Sequence, residues 1–200
     1  SDPFSHGDDG LGNTGIFPEP QTNIYPKSAP ELIVEKINAH PQEITLVATA
    51  PLTNIAMALL LDPTIKDKVK DLILIGGSFG FTKYAYSNAT GDNPVSEWNI
   101  YVDPEAAEIV FNSGMPIKAV GLDVATHPKI NFRSEHLERL KASGKKEADY
   151  IIKLVEFVDK RGFEPYCVLI DSLAVATAIN SEIIKTTAVH VAIETQGKHT

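Results

Sequence analysis

Four short apolar runs, Ile44–Ala48, Leu72–Ile75, Ile117–Leu122 and Val189–Ile193, alternate with stretches of helical periodicity, and this alternation restricts the possible folds most. Each run is too short for a buried helix and rich in β-branched residues, and none shows the polar alternation of a half-solvated strand. Unbroken apolar strands need cover on both faces, which crossover helices supply in a parallel sheet. The intervening segments provide those helices. Ser28 opens one, with Glu31 at capping-box spacing. A second starts at Leu52, and a third at Asp103-Pro104-Glu105, with Asp as cap and Pro in the first turn. Further helical patterns cover Ser134–Leu140, Glu147–Lys160 (closed by Gly162) and Leu173–Ile179. The expected class is α/β, an open, mostly parallel, Rossmann-like sheet with helices on both faces. With 200 residues and 43% hydrophobic content, one domain over 1–200 is expected.

Charge and composition remove several functions. The formal charge is −8 with no block of Lys or Arg, which disfavours contact with a nucleic-acid backbone. No run is long and apolar enough to predict a membrane span. Cys167 is the only cysteine, so no internal disulfide forms, and a reducing, cytoplasmic location is expected. The segments at Ser1 and Thr200 both read as cut ends, so truncation at each is expected.

In open α/β sheets ligands bind beyond the carboxyl ends of the strands. Here those ends are Thr49-Ala50, Gly76-Gly77 and Asp123, joined by two long loops over residues 1–27 and about 78–98. The first loop contains His6-Gly7-Asp8-Asp9-Gly10-Leu11-Gly12, either a surface turn or a ligand-lining lid. After the first strand, Thr53 and Asn54 suit a helix start, while the strand-end carbonyls suit a hard cation. The second loop carries Asp92-Asn93-Pro94-Val95-Ser96-Glu97-Trp98-Asn99. On an extended backbone Glu97 and Asn99 would share one face, a carboxylate and an amide placed for a sugar diol. Trp98 reads as core packing, or as a stacking surface for a base. Asp123 reads as a cap or a supporting acid at a strand end, His127 as a loop-ordering or catalytic residue, and Asp171 as a helix cap or cation ligand. The sequence has no CxxC, HExxH or GxSxG pattern and no dinucleotide fingerprint, which leaves an oxygen-ligated metal as the surviving metal option.

These pieces together resemble the inosine-uridine-preferring nucleoside hydrolase family. The matching segments are HGDDGLG (His6–Gly12), ATAPLTNIA (Ala48–Ala56), IGG ending at Gly77, SEWNIYVDPEAA (Ser96–Ala107), GLDV (Gly121–Val124) and IDSLAVA (Ile170–Ala176), in the family's order. The resemblance implies hydrolysis of ribonucleosides to ribose and free base, with a calcium ion that holds the attacking water and the ribose 2′- and 3′-hydroxyls. It implies Thr49 (main chain) and Asp171 as metal ligands. His6, Glu97 and Asn99 match substrate-binding positions, and Trp98 stands where the family usually has Phe. The family's further Asn lies six residues before the Glu, where this chain has Gly91, so Asn93 or Asp92 is the expected substitute. A homodimer or homotetramer is implied as well.

Two departures shape the expected activity. The family's DTDxGxDD segment, source of the general base and most metal carboxylates, does not occur in this sequence, so no catalytic base is assigned and these residues alone are expected to be inactive. Ile170 stands where the family often has a histidine that protonates the leaving base, and isoleucine has no proton to give. Tyr166 or a loop residue is the alternative donor. Two other readings stay open: hydrolysis of a different N-glycoside, and a non-catalytic ribose- or nucleoside-binding relative.

Overall fold

The structure is a computed structural model that describes residues 6–16, 21–86, 95–162 and 169–196. Asn93, Gly91, Asp92, Tyr166 and Val168 lie outside the described residues. The chain divides into two compact units, one of residues 1–24 and 127–170, the other of residues 25–126 and 171–200.

The second unit contains the sheet. Its order is helix α1 (Ala29–Ala39), strand β1 (Thr45–Ala48), helix α2 (Thr53–Leu61), a 3-10 turn, and strand β2 (Asp71–Ile75). Then come a loop, helices α3 (Trp98–Val102) and α4 (Pro104–Phe111), strand β3 (Ile117–Val120) and the short helix α5 (Leu122–Ala125). Among the described residues the sheet has the order β1-β2-β3 and is parallel throughout, with Ala48 opposite Leu74 and Ile75 opposite Val120. This is the α/β class with a parallel sheet.

Local sequence explains the element boundaries. At Ser28 the Glu31 carboxylate reaches back to the backbone N–H at 2.8 Å and to the hydroxyl at 2.7 Å, closing the first turn of α1. Asp103 caps α4 by accepting from the Ala106 N–H at 3.1 Å, while its other oxygen takes the Thr53 hydroxyl at the start of α2. That pair ties two helix starts together beside the sheet. Leu72 and Leu74 face a core formed with Ile37, Leu52, Ile55, Leu59, Ile65, Ala107 and Val110. Ile73 and Ile75 point the opposite way and are buried too, so the central strand is covered on both faces, as its continuous apolar sequence requires.

The first unit contains the glycine-rich turn from His6 and an α-hairpin of α6 (Ser134–Ser143) and α7 (Lys146–Lys160). Gly144 and Gly162, both left-handed, end these helices. In the turn, Asp9 Oδ1 accepts from the N–H groups of Leu11 (2.7 Å) and Asn13 (2.9 Å). Helix α8 (Ile170–Ile179) follows residue 169. Among the described residues no helix is long and apolar enough to cross a membrane.

Several expectations are corrected. Val189–Ile193 is not a strand: it runs beside a cavity of about 690 Å³ whose walls include Ile117 and Ala119 of β3 together with Val189 and Val191. An apolar run becomes a strand only where its amides meet a partner, and among the described residues this run joins no ladder, although Ile193 packs against the core. The third strand ends at Val120, and Asp123 lies inside α5, where Gly121 is the cap. Asp171 is likewise not a cap, because α8 begins one residue earlier and places it in the first turn.

Candidate active site

The carboxyl edge of the sheet gathers the candidate residues of the second unit. Thr49 follows β1 directly, and the β1–β2 register places it beside the end of β2. At that end, Ile75 leads into Gly76-Gly77. Here the backbone turns sharply: Gly77 has φ +90°, which only glycine adopts without strain. A Cβ at Gly76 would press on the side chains of Leu74 (3.1 Å) and Ile100 (3.3 Å) and stand in ordinary contact, 3.5 Å, with Glu97 Oε2, so a carboxylate lies against the strand end here.

Glu97 is that carboxylate. It is 5% exposed, and Oε2 accepts from the N–H of Gly77 at 3.3 Å and of Ile100 at 3.1 Å. It therefore caps α3 and meets the β2 end at once. Asn99, 9% exposed, donates from Nδ2 to the Ile75 carbonyl at 3.0 Å. The pair converges on the β2 end, although not in the way the spacing suggested. The backbone from Trp98 onward is helical and not extended, so Glu97 and Asn99 are cap and first-turn residues of α3. Asp103-Pro104 cuts α3 short and starts α4, and the carboxylate at 97 nucleates α3 by satisfying an otherwise free N–H.

Trp98 is also corrected. It is 55% exposed and not part of the core, because the first turn of α3 turns its indole outward while its neighbours Glu97 and Asn99 turn in. Asp171, exposed on the first turn of α8, is near enough to act on Glu97 electrostatically. Burial pushes the Glu97 carboxyl above its ordinary range; the N–H donors of Asn99, Ile100 and Gly77 oppose this, and the charge of Asp171 adds to it. The described residues hold no group of three His, Cys, Asp or Glu able to bind a metal.

His6 and His127 belong to the first unit. His6 is exposed, and its carbonyl accepts from Gly12 at 2.8 Å. His127 has the extended backbone expected before proline, and its Nδ1 accepts from the Lys129 N–H at 3.1 Å, a loop-ordering contact.

The strand-end glycines, the Ile75 carbonyl and Asp123 have contacts that the sequence did not reveal. Gly76-Gly77 after an apolar strand was the available signal for the first; a close carboxylate could not be read from it.

A site of this kind, a buried acid and amide locked to a strand end with a second acid close by, suits a polyhydroxylated ligand. Comparison with known proteins gives the frame. The family model for inosine-uridine preferring nucleoside hydrolase matches residues 1–200. The chain belongs to that family. It is 38% identical over 196 residues to an inosine-uridine preferring nucleoside hydrolase of Leishmania major, covering 96% of this chain and 59% of that protein. It is 36% identical over 201 residues to the pyrimidine-specific ribonucleoside hydrolase RihA of Citrobacter koseri, covering 98% and 61%. Among solved structures, a purine-preferring ribonucleoside hydrolase from Gardnerella vaginalis superposes with a TM-score of 0.85 at 28% identity, over 98% of this chain and 61% of that one. A plant nucleoside hydrolase gives 0.83 at 32% identity, over 98% and 60%. The chain thus spans about 60% of the length of these relatives.

Proposed function

We propose that the intact protein hydrolyses the N-glycosidic bond of ribonucleosides to ribose and free base, with calcium as its metal. The observation that carries this reading is the Glu97–Asn99 pair, fixed at the end of β2 in a chain whose family is nucleoside hydrolase. A desolvated carboxylate gains most from donors that arrive with a ligand, and vicinal hydroxyls are such donors. Asn99 commits one N–H to Ile75, which fixes its amide plane and leaves the remaining amide groups for a sugar. Trp98 turns outward from this pair, so its role as an aromatic face for a base is carried on the resemblance alone. Asn93 and His6 are carried as further substrate contacts on the resemblance alone.

The residues fit a hard cation in kind. Glu97 and Asp171 repel each other, the available donors are oxygen, and a divalent ion would relieve that repulsion. Its ligands on this chain would be the Thr49 carbonyl and the Asp171 carboxylate. When bound, calcium would acidify water and grip hydroxyls. The chain's own contribution is orientation: Glu97 and Asn99 hold the ribose so that the clamp is tightest when the sugar carries oxocarbenium-like charge.

Ile170 favours a second reading, a nucleoside-binding relative without turnover, since this residue opens α8 next to Asp171 and cannot protonate a leaving base. Homo-oligomerisation and a cytoplasmic location belong to the leading reading, as does inactivity of these 200 residues alone, among which no DTDxGxDD motif occurs. A panel of inosine, uridine, cytidine and adenosine assayed on the intact protein, with calcium and with chelator, tests it. Calcium-dependent release of base is expected. Tight nucleoside binding without release would establish the second reading instead.

A further inference from the structure

We propose that Asp123 is a positioning residue for Glu97, acting through the loop that leaves β2. The inference deepens the proposed function, and its kinetic test rests on that reading. Asp123 is 4% exposed on α5, and its carboxylate serves three backbone donors of that loop. Oδ2 accepts from the Phe79 N–H at 2.8 Å, and Oδ1 accepts from Phe81 at 2.6 Å and Thr82 at 3.1 Å. The Thr82 hydroxyl donates to the Asp123 carbonyl at 2.9 Å, and the Leu122 N–H donates to the Gly77 carbonyl at 3.0 Å. The loop is therefore gripped by α5 from Gly77 to Thr82, and its first bend is Gly77, the residue whose N–H meets Glu97 at 3.3 Å.

The ring of Phe79 fills the space between Gly77 and Gly121: an added Cβ would stand 2.8 Å from it at the former and 2.6 Å at the latter. Phe79 is held there by its own N–H bond to Asp123. Carboxylate, loop amide, ring and Gly77 thus form one connected chain of contacts ending on Glu97. Three N–H groups shared between two oxygens require acceptors on both, which a carboxylate offers and an amide does not. An asparagine would turn an NH2 group toward either Phe79 or the Phe81–Thr82 pair, freeing part of the loop. The Gly77 amide would then lose its fixed place against Glu97 while the strand itself stayed paired.

The test is a double-mutant cycle on the intact protein with Asp123→Asn, Glu97→Gln and both together, read as kcat/KM for nucleoside hydrolysis. Asp123→Asn is expected to lower kcat/KM about ten-fold in the natural background and less than about two-fold when Glu97 is already Gln. An equal loss in both backgrounds, or no loss, overturns the proposal. A second arm needs no turnover: amide hydrogen exchange should quicken about ten-fold or more at Gly77, relative to Leu72 within β2. Exchange at Gly77 that only keeps step with Leu72 marks a general loss of stability and overturns it too. Thr82→Val, which keeps the carboxylate and removes one tether, should move Gly77 exchange in the same direction by less, and serves if Asp123→Asn does not fold. If the intact protein releases no base from any nucleoside, the proposed function fails while the exchange experiment still decides the role of Asp123.

Discussion

Replacing Glu97 by glutamine separates the two things this residue does. The side chain keeps its size and loses its charge. In the folded chain the carboxyl sits above its ordinary value of 4.5, first because of burial and further because of Asp171, with three backbone amides pulling the other way. In the unfolded chain it titrates near that ordinary value. Between the two values the folded state holds more protons than the unfolded, so the stability Glu97 contributes is present at low pH and lost as pH rises through the folded value. Glutamine has no such dependence. Without metal, the melting temperature of Glu97→Gln relative to the natural protein should therefore rise between about pH 4 and pH 7. Binding should move in the opposite sense. A hydrogen bond to a charged group contributes about 1.5–3 kcal/mol, which at 1.36 kcal/mol per decade is roughly a 10- to 160-fold loss in kcat/KM. Thermal unfolding across pH and steady-state kinetics on the intact protein give both numbers. A glutamine variant with unchanged kcat/KM, or with a melting difference that does not vary with pH, would refute the reasoning.

Gly77→Ala should destabilise the protein by about 1–3 kcal/mol in urea unfolding, because it forces a side chain into a left-handed backbone and against the Phe79 ring. Asn99→Leu removes the donor to the Ile75 carbonyl and should cost about 1–3 kcal/mol in the same measurement, together with a raised KM. Asp171→Asn takes away a charge that raises the Glu97 carboxyl, so carboxyl-detected NMR of the metal-free protein should show Glu97 titrating lower; an unmoved titration would separate the two acids. Chelation should abolish nucleoside hydrolysis, calcium should restore it, and Asp171→Asn should raise the calcium concentration needed for half activity.

The sequence by itself determined the class, the family and most element starts, since these depend on short-range chemistry. Ser28 with Glu31, Asp103 before Pro104 and Gly162 after α7 act within one turn of their own position, so their spacing is their mechanism. The unbroken apolar character of Leu72–Ile75 required cover on both faces wherever the chain supplied it. The tertiary structure alone decided which of the apolar runs pair: Val189–Ile193 has the composition of a strand and joins no sheet among the described residues. It also decided the form of the site. Glu97 and Asn99 were legible as a pair, but whether they share a face through an extended segment or by capping α3 depends on Gly77 and Ile75, some twenty residues away in sequence. The same holds for Asp123, whose three amide partners lie more than forty positions earlier. A carboxylate's partners are set by what folding brings beside it, and no local pattern records that.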